Sequence, residues 1–343
     1  MKYAIVFGGM SYEHEISIVS AVTLKEKLSG EKLFIFCDGD RAFYLIPQDR
    51  MKSKLFSSGD YRKETKLTLK NGGFFYKAML GEKRLDFDVI INLVHGGDGE
   101  DGKLAALFDF FALPYIGPRL EASVLSFNKL YTKWYAKEIG VRVLDYEILH
   151  RGEYAVKTPF PCIIKPLRLG SSIGVSIVRE QQELEYALDV AYEFDDTVLI
   201  EPFIEGVREY NLAGCKAEDF RFSIVEEPQK EVFLDFEKKY LDFARTEQVH
   251  EAQIDASLRD RLQEQFRLIY DGTFEGALIR CDFFVIDDEI YLNEINPIPG
   301  SYANYLFADF TSVVDALAAH LPKTRKIPID YAYIDSIQRA KGK

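Results

Sequence analysis

Two stretches near the C-terminus decide the fold: LIRCDF at residues 278–283 and YLNEIN at residues 291–296, followed by PIPG. The acidic run at 287–289 predicts a turn between two strands. Because alternate side chains of a strand share one face, pairing of the strands brings polar groups together. These groups belong to Arg280, Asp282, Glu294 and Asn296. Carboxylate and amide oxygens suit Mg²⁺, which also takes phosphate oxygens. The pattern indicates a nucleotide–metal site, and a hairpin with a solvated polar face is the alternative.

The composition indicates two or three globular domains. The chain has 343 residues, of which 47% are hydrophobic, and 43 Lys and Arg against 55 Asp and Glu give a net charge of −12. This charge argues against nucleic acid and anionic membranes as partners, although a local basic pocket could still hold a small anion.

Cysteine usage and the N-terminus predict a cytoplasmic protein. Cys37, Cys162, Cys215 and Cys281 show no C-x-x-C spacing, so buried free thiols in a reducing compartment are expected. The first apolar run is too short for a signal peptide or a membrane span.

The first part of the chain has the alternation of an open α/β domain. Its predicted elements are a first strand, a Gly8-Gly9 turn, a helix at about 13–28, a β-rich stretch at 34–85, a buried strand at 87–94, a glycine-rich loop at 95–102, a helix at 103–112 and a strand at 115–117. Ligands of such sheets bind at the carboxyl ends of the strands, where Glu13 and His95 are expected.

The rest of the chain predicts α+β units. The predicted elements are helical segments to 137, strands at 145–149, 160–165 and 175–178, a helix at 180–194, strands near 210–216 and 220–226, a helix around 258–270, the hairpin and C-terminal helices.

A loop between two predicted strands, KPLRLGSSIG at residues 165–174, has the composition of a phosphate-binding loop. Gly170 and Gly174 allow backbone N–H groups to approach an anion. Lys165 could reach a phosphate, and two serines add hydroxyl donors. A plain hairpin turn, which glycine and serine also favour, is the alternative.

Four weaker signals each have a structural alternative. Residues 201–209 could hold adenine and ribose or form a solvated linker. Residues 238–240 could cover a phosphate or form a surface loop. Glu13 could pair with an ammonium group or simply favour the helix N-terminus. His95 could bind a substrate or make a structural hydrogen bond.

The ordered set of motifs resembles the ATP-grasp superfamily and, within it, the D-alanine–D-alanine ligase family. The matching motifs are Gly8-Gly9, Glu13-x-Glu15-x-Ser17, the loop 95–102, Lys129, the loop 165–172, Glu201, Glu209, Lys239-Tyr240, Arg280-x-Asp282 and Glu294-x-Asn296-x-x-Pro-Gly300. The resemblance implies an ATP-grasp fold with an N-terminal open α/β (Rossmann-like) domain. The implied domains are residues 1–118, 119–199 and 200–343, with ATP between the second and third.

The same resemblance implies roles for individual residues. ATP would contact Lys129, Lys165, Ser172, Glu201, Pro202, Phe203, Glu209 and Lys239. Two Mg²⁺ or Mn²⁺ ions would bind Asp282, Glu294 and Asn296. The catalytic set would be Glu13, Ser171, Tyr240, Arg280 and Gly300. The D-alanine molecules would also contact Ser17, His95, Ser301, Tyr305 and Leu306.

The implied activity is ATP-dependent joining of two D-alanine molecules through an acyl phosphate, for peptidoglycan precursors, by a cytoplasmic homodimer. Another ATP-grasp carboxylate–amine ligase, a D-Ala-D-Lac ligase or a non-catalytic nucleotide-binding homologue is the alternative. The chain departs from the family at Leu169, where a charged residue is common, and at Tyr305, where a serine is frequent. Tyr240 favours an amine as the second substrate.

Overall fold

The computed structural model describes residues 1–228, 249–323 and 327–341. These residues form one sheet of eight strands and two sheets of four strands. Within the same ranges, no helix has the length and apolar character needed to cross a membrane. All four cysteines are buried and free, which confirms the expectation from their spacing. The division into domains at residues 118 and 199 stays a prediction.

The first sheet has the strand order β6-β5-β4-β3-β2-β1-β7-β8. Its strands are β1 (Lys2–Gly8), β2 (Glu31–Cys37), β3 (Phe43–Ile46), β4 (Thr65–Lys70), β5 (Gly73–Ala78), β6 (Gly81–Arg84), β7 (Val89–Asn92) and β8 (Tyr115–Ile116). Strands β2, β1, β7 and β8 are parallel, as the open α/β prediction required. The predicted β-rich stretch supplies the antiparallel extension from β3 to β6.

Three helices accompany this sheet: α1 (His14–Lys27), α2 (Ser53–Ser57) and α3 (Lys103–Phe110). Helices α1 and α3 confirm predictions to within about two residues. The strand predicted at 87–94 is shorter, since its pairing with β1 covers residues 89–92. Leu93 and Val94 stay buried as the chain enters the glycine-rich loop.

The second sheet is antiparallel, with the order β11-β10-β12-β9. The elements of this region are α4 (Leu120–Phe127), α5 (Lys129–Glu138), β9 (Glu147–His150), β10 (Cys162–Pro166), β11 (Ser176–Val178), α6 (Leu184–Tyr192) and β12 (Thr197–Pro202). The loop 165–174 does join two paired strands, as predicted. Helix α6 buries its apolar side against the sheet and is preceded by a 3₁₀ turn, so it starts later than predicted.

The third sheet has the order β14-β13-β15-β16 and is also antiparallel. This region contains β13 (Arg208–Lys216), β14 (Phe220–Glu226), α7 (Ala256–Tyr270), β15 (Ile279–Ile286), β16 (Glu289–Asn296), α8 (Phe310–Ala319) and α9 (Ala332–Lys341). The predicted hairpin is confirmed: Asp282 lies opposite Glu294, and Arg280 lies opposite Asn296. The turn is tighter than predicted, because Glu289 already belongs to β16.

The largest apolar core among the described residues joins the first strand to residues as late as Leu317. It contains residues of β1, β2 and α1 together with Leu278, Ile298, Tyr302, Leu306 and Val314. The Tyr3 hydroxyl donates a hydrogen bond to Asp315 on α8. Packing of α1 against the segment 300–306 therefore places the first helix beside the end of the late hairpin.

Candidate active site

The carboxylate of Glu13 lies where two glycine loops meet the start of α1. Its Oε1 atom accepts a hydrogen bond from Ser171 Oγ at 2.5 Å. A Cβ atom at Gly96 would lie 2.5 Å from Oε2, and one at Gly170 would lie 2.9 Å from Oε1. Since no real Cβ approaches so closely, both loops depend on glycine to reach this carboxylate.

Glu13 is almost completely buried, and its electrostatic environment is unusual. Burial, with a smaller effect of Glu100, raises its pKa to about 7, although the hydrogen bond from Ser171 lowers it. Among the described residues, its Oε2 atom has no hydrogen-bond partner. Because buried polar atoms are nearly always paired, this acceptor is suited to an ammonium group.

His95 is linked to the late segment through Ser20, a residue that the sequence analysis missed. His95 Nε2 lies 2.9 Å from Ser20 Oγ, and the Ser301 N–H donates to the same oxygen at 2.9 Å. Burial lowers the pKa of His95 to about 4, so the ring is neutral near pH 7. Glu13, Ser17 and Ser20 have i, i+4, i+7 spacing, and this row of polar residues on one face was the available signal.

Glu100 lies on the other side of His95; it belongs to the predicted loop 95–102, but no role of its own was predicted for it. Its Oε1 atom is 3.6 Å from His95 Nδ1. Burial raises the pKa of Glu100 to about 8, with a smaller contribution from Glu294. Two buried acids with raised pKa values, Glu13 and Glu100, therefore border the same histidine.

Gly300 begins a turn whose backbone is strained. Ser301, Tyr302 and Ala303 have φ values of 48°, 55° and 50°, in the left-handed region. Such backbone costs an L-residue roughly 1–2 kcal/mol at each position. The Tyr302 N–H donates to Pro299 O at 2.7 Å, and Asn304 Nδ2 donates to Ser301 O at 2.7 Å. Surrounding contacts hold this turn in place, as is common at functional sites.

Two predicted substrate residues use their side chains within the protein. Ser17 Oγ accepts from the Gly8 N–H at 2.8 Å and donates to Leu93 O at 2.5 Å. Leu306 is fully buried in the largest apolar core, so a ligand could reach only its main chain.

The hairpin of β15 and β16 concentrates charge, as predicted. Arg280 donates to Asp282 through Nε at 2.7 Å and Nη2 at 2.8 Å, and Asn296 Nδ2 donates to Asp282 Oδ2 at 3.0 Å. Arg280 Nη1 also donates to the hydroxyl of Tyr305 at 3.3 Å. Burial raises the pKa of Asp282 to about 6; Arg280 opposes this rise and Glu294 adds to it.

The hairpin residues fit a divalent cation in their chemistry. Asp282 and Glu294 are facing carboxylates that repel one another, and Asn296 adds an amide oxygen, so all three offer the hard ligands that Mg²⁺ prefers. The described part of the chain has no group of three or more His, Cys, Asp or Glu side chains arranged around a metal. The set is therefore limited to two carboxylates and a carboxamide.

A buried cluster of lysines and one acid lies beside the hairpin. Lys165 Nζ donates to Glu201 Oε2 at 2.8 Å and to Asn293 Oδ1 at 3.2 Å. Lys133, which the sequence analysis missed, donates to the other oxygen of Glu201. Burial opposes ionisation of Glu201, but Lys165 and then Lys133 outweigh it and lower the pKa to about 2.

Lys129 lies one helical turn before Lys133 and faces the same space. Its Nζ atom donates to the carbonyl of Leu169 at 2.5 Å, and burial lowers its pKa. Glu294 opposes the lowering of the Lys129 pKa and adds to the rise of the Lys165 pKa, as a nearby carboxylate does. The space between these lysines and the hairpin is the candidate cleft.

The remaining predicted residues lie around this cleft or outside the described residues. Ser172 is in the loop between β10 and β11 with a φ of 57°, and Glu209, near the start of β13, raises the pKa of Lys165. Pro202 ends β12, and the N–H of Phe203 donates to Pro161 O at 2.9 Å. Lys239 and Tyr240 lie outside the described residues.

Comparisons with known proteins agree with this architecture. Family models described as "D-ala D-ala ligase N-terminus" and "D-ala D-ala ligase C-terminus" match residues 2–118 and 136–313. The chain is 59% identical to a D-alanine–D-alanine ligase of Campylobacter lari over 345 residues, with 100% of both chains covered. It is 58% identical to the Helicobacter hepaticus ligase over 351 residues, again with 100% of both covered.

Solved structures give the same result. The structure of D-alanine–D-alanine ligase from Helicobacter pylori matches with a TM-score of 0.85 and 49% identity, over 95% of this chain and 100% of that one. VanG D-Ala:D-Ser ligase from Enterococcus faecalis matches with a TM-score of 0.74 and 25% identity, over 92% and 99%. The fold is therefore that of the ATP-grasp ligases. Within this class, the chain belongs to the D-alanine–D-alanine ligase family.

Proposed function

We propose that the protein joins two D-alanine molecules into D-alanyl-D-alanine for peptidoglycan precursors, with cleavage of ATP to ADP and phosphate. The observation that carries this proposal is the Glu13 carboxylate. It is buried between two glycine loops, and its Oε2 atom has no partner among the described residues. An amino acid bound there by its ammonium group would direct its own carboxylate toward the cleft of Lys129 and Lys165.

In the first step, the carboxylate of the first D-alanine attacks the γ-phosphorus of ATP. A bond forms between the carboxylate oxygen and phosphorus, the bond to the ADP oxygen breaks, and an acyl phosphate results. Lys129 and Lys165 would neutralise negative charge on the phosphates, which is the main requirement of phosphoryl transfer. In this proposal the Lys165 contact with Glu201 orients the ammonium group toward the nucleotide.

In the second step, the amine of the second D-alanine attacks the activated carbonyl carbon. The C–N bond forms, phosphate leaves with the electron pair of the C–O bond, and the nitrogen gives up a proton to the departing phosphate. Arg280 and the Gly300 N–H would stabilise the oxyanion, each by roughly 3–4 kcal/mol in comparable sites. The Glu13–Ser171 contact closes the loop over the site and would keep water from the acyl phosphate.

Asp282, Glu294 and Asn296 are proposed to hold two divalent cations, Mg²⁺ or Mn²⁺. Bound cations would supply charge neutralisation for the triphosphate. Asp282 would stay oriented by its two hydrogen bonds from Arg280.

The test is turnover by the purified full-length chain with ATP and Mg²⁺. We expect ADP release and dipeptide formation with D-alanine and not with L-alanine. Equal release with the two enantiomers, or ATP binding without any product, would refute the proposal.

The second substrate requires its own assay, because the structural relatives include a ligase named for D-serine. D-alanine, D-serine and D-lactate are each tested in turn as the second substrate, while D-alanine is present at a fixed concentration as the first. Identity of 59% to a D-alanine–D-alanine ligase, against 25% to the D-Ala:D-Ser ligase, supports D-alanine as the preferred acceptor.

Three further statements are proposals of the same kind. The chain would have domains at 1–118, 119–199 and 200–343, would act in the cytoplasm and would form a homodimer. Sedimentation equilibrium of the full chain tests the last of these, and a single species of 39.4 kDa would contradict it.

A further inference from the structure

We propose that Ser20 is a positioning residue, whose hydroxyl ties His95 to the strained turn after Gly300 and so orders the D-alanine side of the site. The inference rests on the proposed function for its kinetic part. Its structural part concerns only atoms of this chain.

Ser20 lies where three segments of the site meet. Ser20 is fully buried on α1, two turns after Glu13. Its oxygen lies 2.9 Å from His95 Nε2 and accepts the Ser301 N–H at 2.9 Å. One hydroxyl thus joins three segments that are far apart in the sequence.

The turn that Ser20 contacts has a strained backbone. Three consecutive residues from Ser301 have positive φ values, and none of them is glycine. Such a conformation persists only where the surroundings fix it. The N–H of Ser301, the first strained residue, donates its hydrogen bond to Ser20 Oγ. This bond therefore holds the backbone where it leaves Gly300.

The Ser20 hydroxyl can serve both neighbours at once. It accepts the Ser301 N–H with one lone pair, and its second lone pair and its proton are left for His95 Nε2. The bond to His95 therefore forms whether Nε2 donates or accepts. We expect this contact to hold the neutral ring in a single tautomer, with Nδ1 facing Glu100 at 3.6 Å.

The experiment compares Ser20→Ala with Ser20→Thr and with Ser123→Ala. Ser123 is a matched control, since it is also a fully buried helical serine, and its hydroxyl donates to the main-chain carbonyl of Pro118 at 3.5 Å. For each protein, KM for D-alanine, KM for ATP, kcat and the thermal midpoint are measured. The ¹⁵N resonances of His95 are recorded in parallel and assigned with a His95→Gln sample.

We expect Ser20→Ala to lower kcat/KM for D-alanine about 10-fold, the effect of losing one ordering hydrogen bond, with little change in KM for ATP. Ser20→Thr, which keeps the hydroxyl, should lie closer to the unmodified protein, and Ser123→Ala should change stability only. The His95 spectrum should show one neutral tautomer in the unmodified protein and should lose this preference in Ser20→Ala.

Equal populations of the two neutral His95 tautomers in the unmodified protein would overturn the proposal even if no variant folds. Equal kinetic effects of Ser20→Ala and Ser123→Ala would also overturn it. Absence of D-alanine turnover by the unmodified protein would refute the proposed function instead, and the His95 spectrum would still decide the role of Ser20.

Discussion

Replacement of Gly96 by alanine tests the arrangement around Glu13 directly. Gly96 has a φ of +66°, and an added Cβ would lie 2.5 Å from Glu13 Oε2 and against the hydroxyl of Ser11. Either the loop or the carboxylate must therefore move. We expect stability to fall because alanine is strained in a left-handed backbone. We expect D-alanine turnover to fall because the Glu13 carboxylate is displaced.

The magnitude has two parts. The left-handed backbone costs alanine about 1–2 kcal/mol of folding free energy. Displacement of Glu13 loses its hydrogen bond from Ser171, and a hydrogen bond to a charged group is worth about 1.5–3 kcal/mol. If that loss falls on the transition state, kcat/KM for D-alanine decreases roughly 10- to 100-fold.

Gly140→Ala is the matched control. Gly140 has a φ of +78°, and an added Cβ there would meet nothing within 4 Å. The control therefore carries the backbone penalty without the collision. Thermal denaturation and steady-state ADP release are measured for both variants. Equal activity of the two would refute the placement of Gly96 against Glu13, and a larger activity loss in Gly170→Ala, whose contact is longer, would contradict the ranking by distance.

Three further predictions concern buried charges. Because burial raises the pKa of Glu13 from 4.5 to about 7, its contribution to stability falls as the pH rises through this interval. Glu13→Gln should therefore raise the thermal midpoint at pH 8 and also increase KM for D-alanine. An unchanged KM would remove Glu13 from the site. Lys133→Met leaves Glu201 with Lys165 alone and should cost about 3 kcal/mol at neutral pH and raise KM for ATP. The depressed pKa of Glu201 stabilises the fold above pH 4.5 and this effect is lost toward pH 2, so the deficit should shrink in acid, whereas the exposed Lys137→Met should show none of these changes. Asp282→Asn should abolish turnover and also destabilise the protein by about 3–5 kcal/mol, because it weakens a buried pair with Arg280. Glu294→Gln keeps that pair and should abolish turnover without this loss of stability. Equal decreases in the free energy of unfolding in urea would contradict the assignment.

The hairpin of β15 and β16 was predictable because strand pairing follows from local rules. Two apolar runs of similar length flank an acidic turn, and alternation of faces then sets which polar residues meet. Pairing of Asp282 with Glu294 needed no tertiary information. The predicted turn is one residue longer than the observed one, since strand ends depend on hydrogen bonds that composition does not specify.

The contacts between distant segments could not be predicted in the same way. Ser20 and Lys133 look like ordinary helical residues, and their importance depends on His95, Ser301 and Glu201 arriving from elsewhere in the chain. The left-handed turn after Gly300 also escaped prediction. Its three strained residues are Ser, Tyr and Ala, none of which signals a positive φ.

The first strand and α8 share one apolar core, and this has a consequence for synthesis. Tyr3 belongs to the same core as Leu317, and its hydroxyl donates a hydrogen bond to Asp315 on α8. During synthesis the first sheet leaves the ribosome early. Its apolar surface then stays uncovered until more than 310 residues have emerged. We therefore expect a fragment ending near residue 118 to aggregate when it is expressed alone, and to regain solubility when the missing C-terminal part is co-expressed.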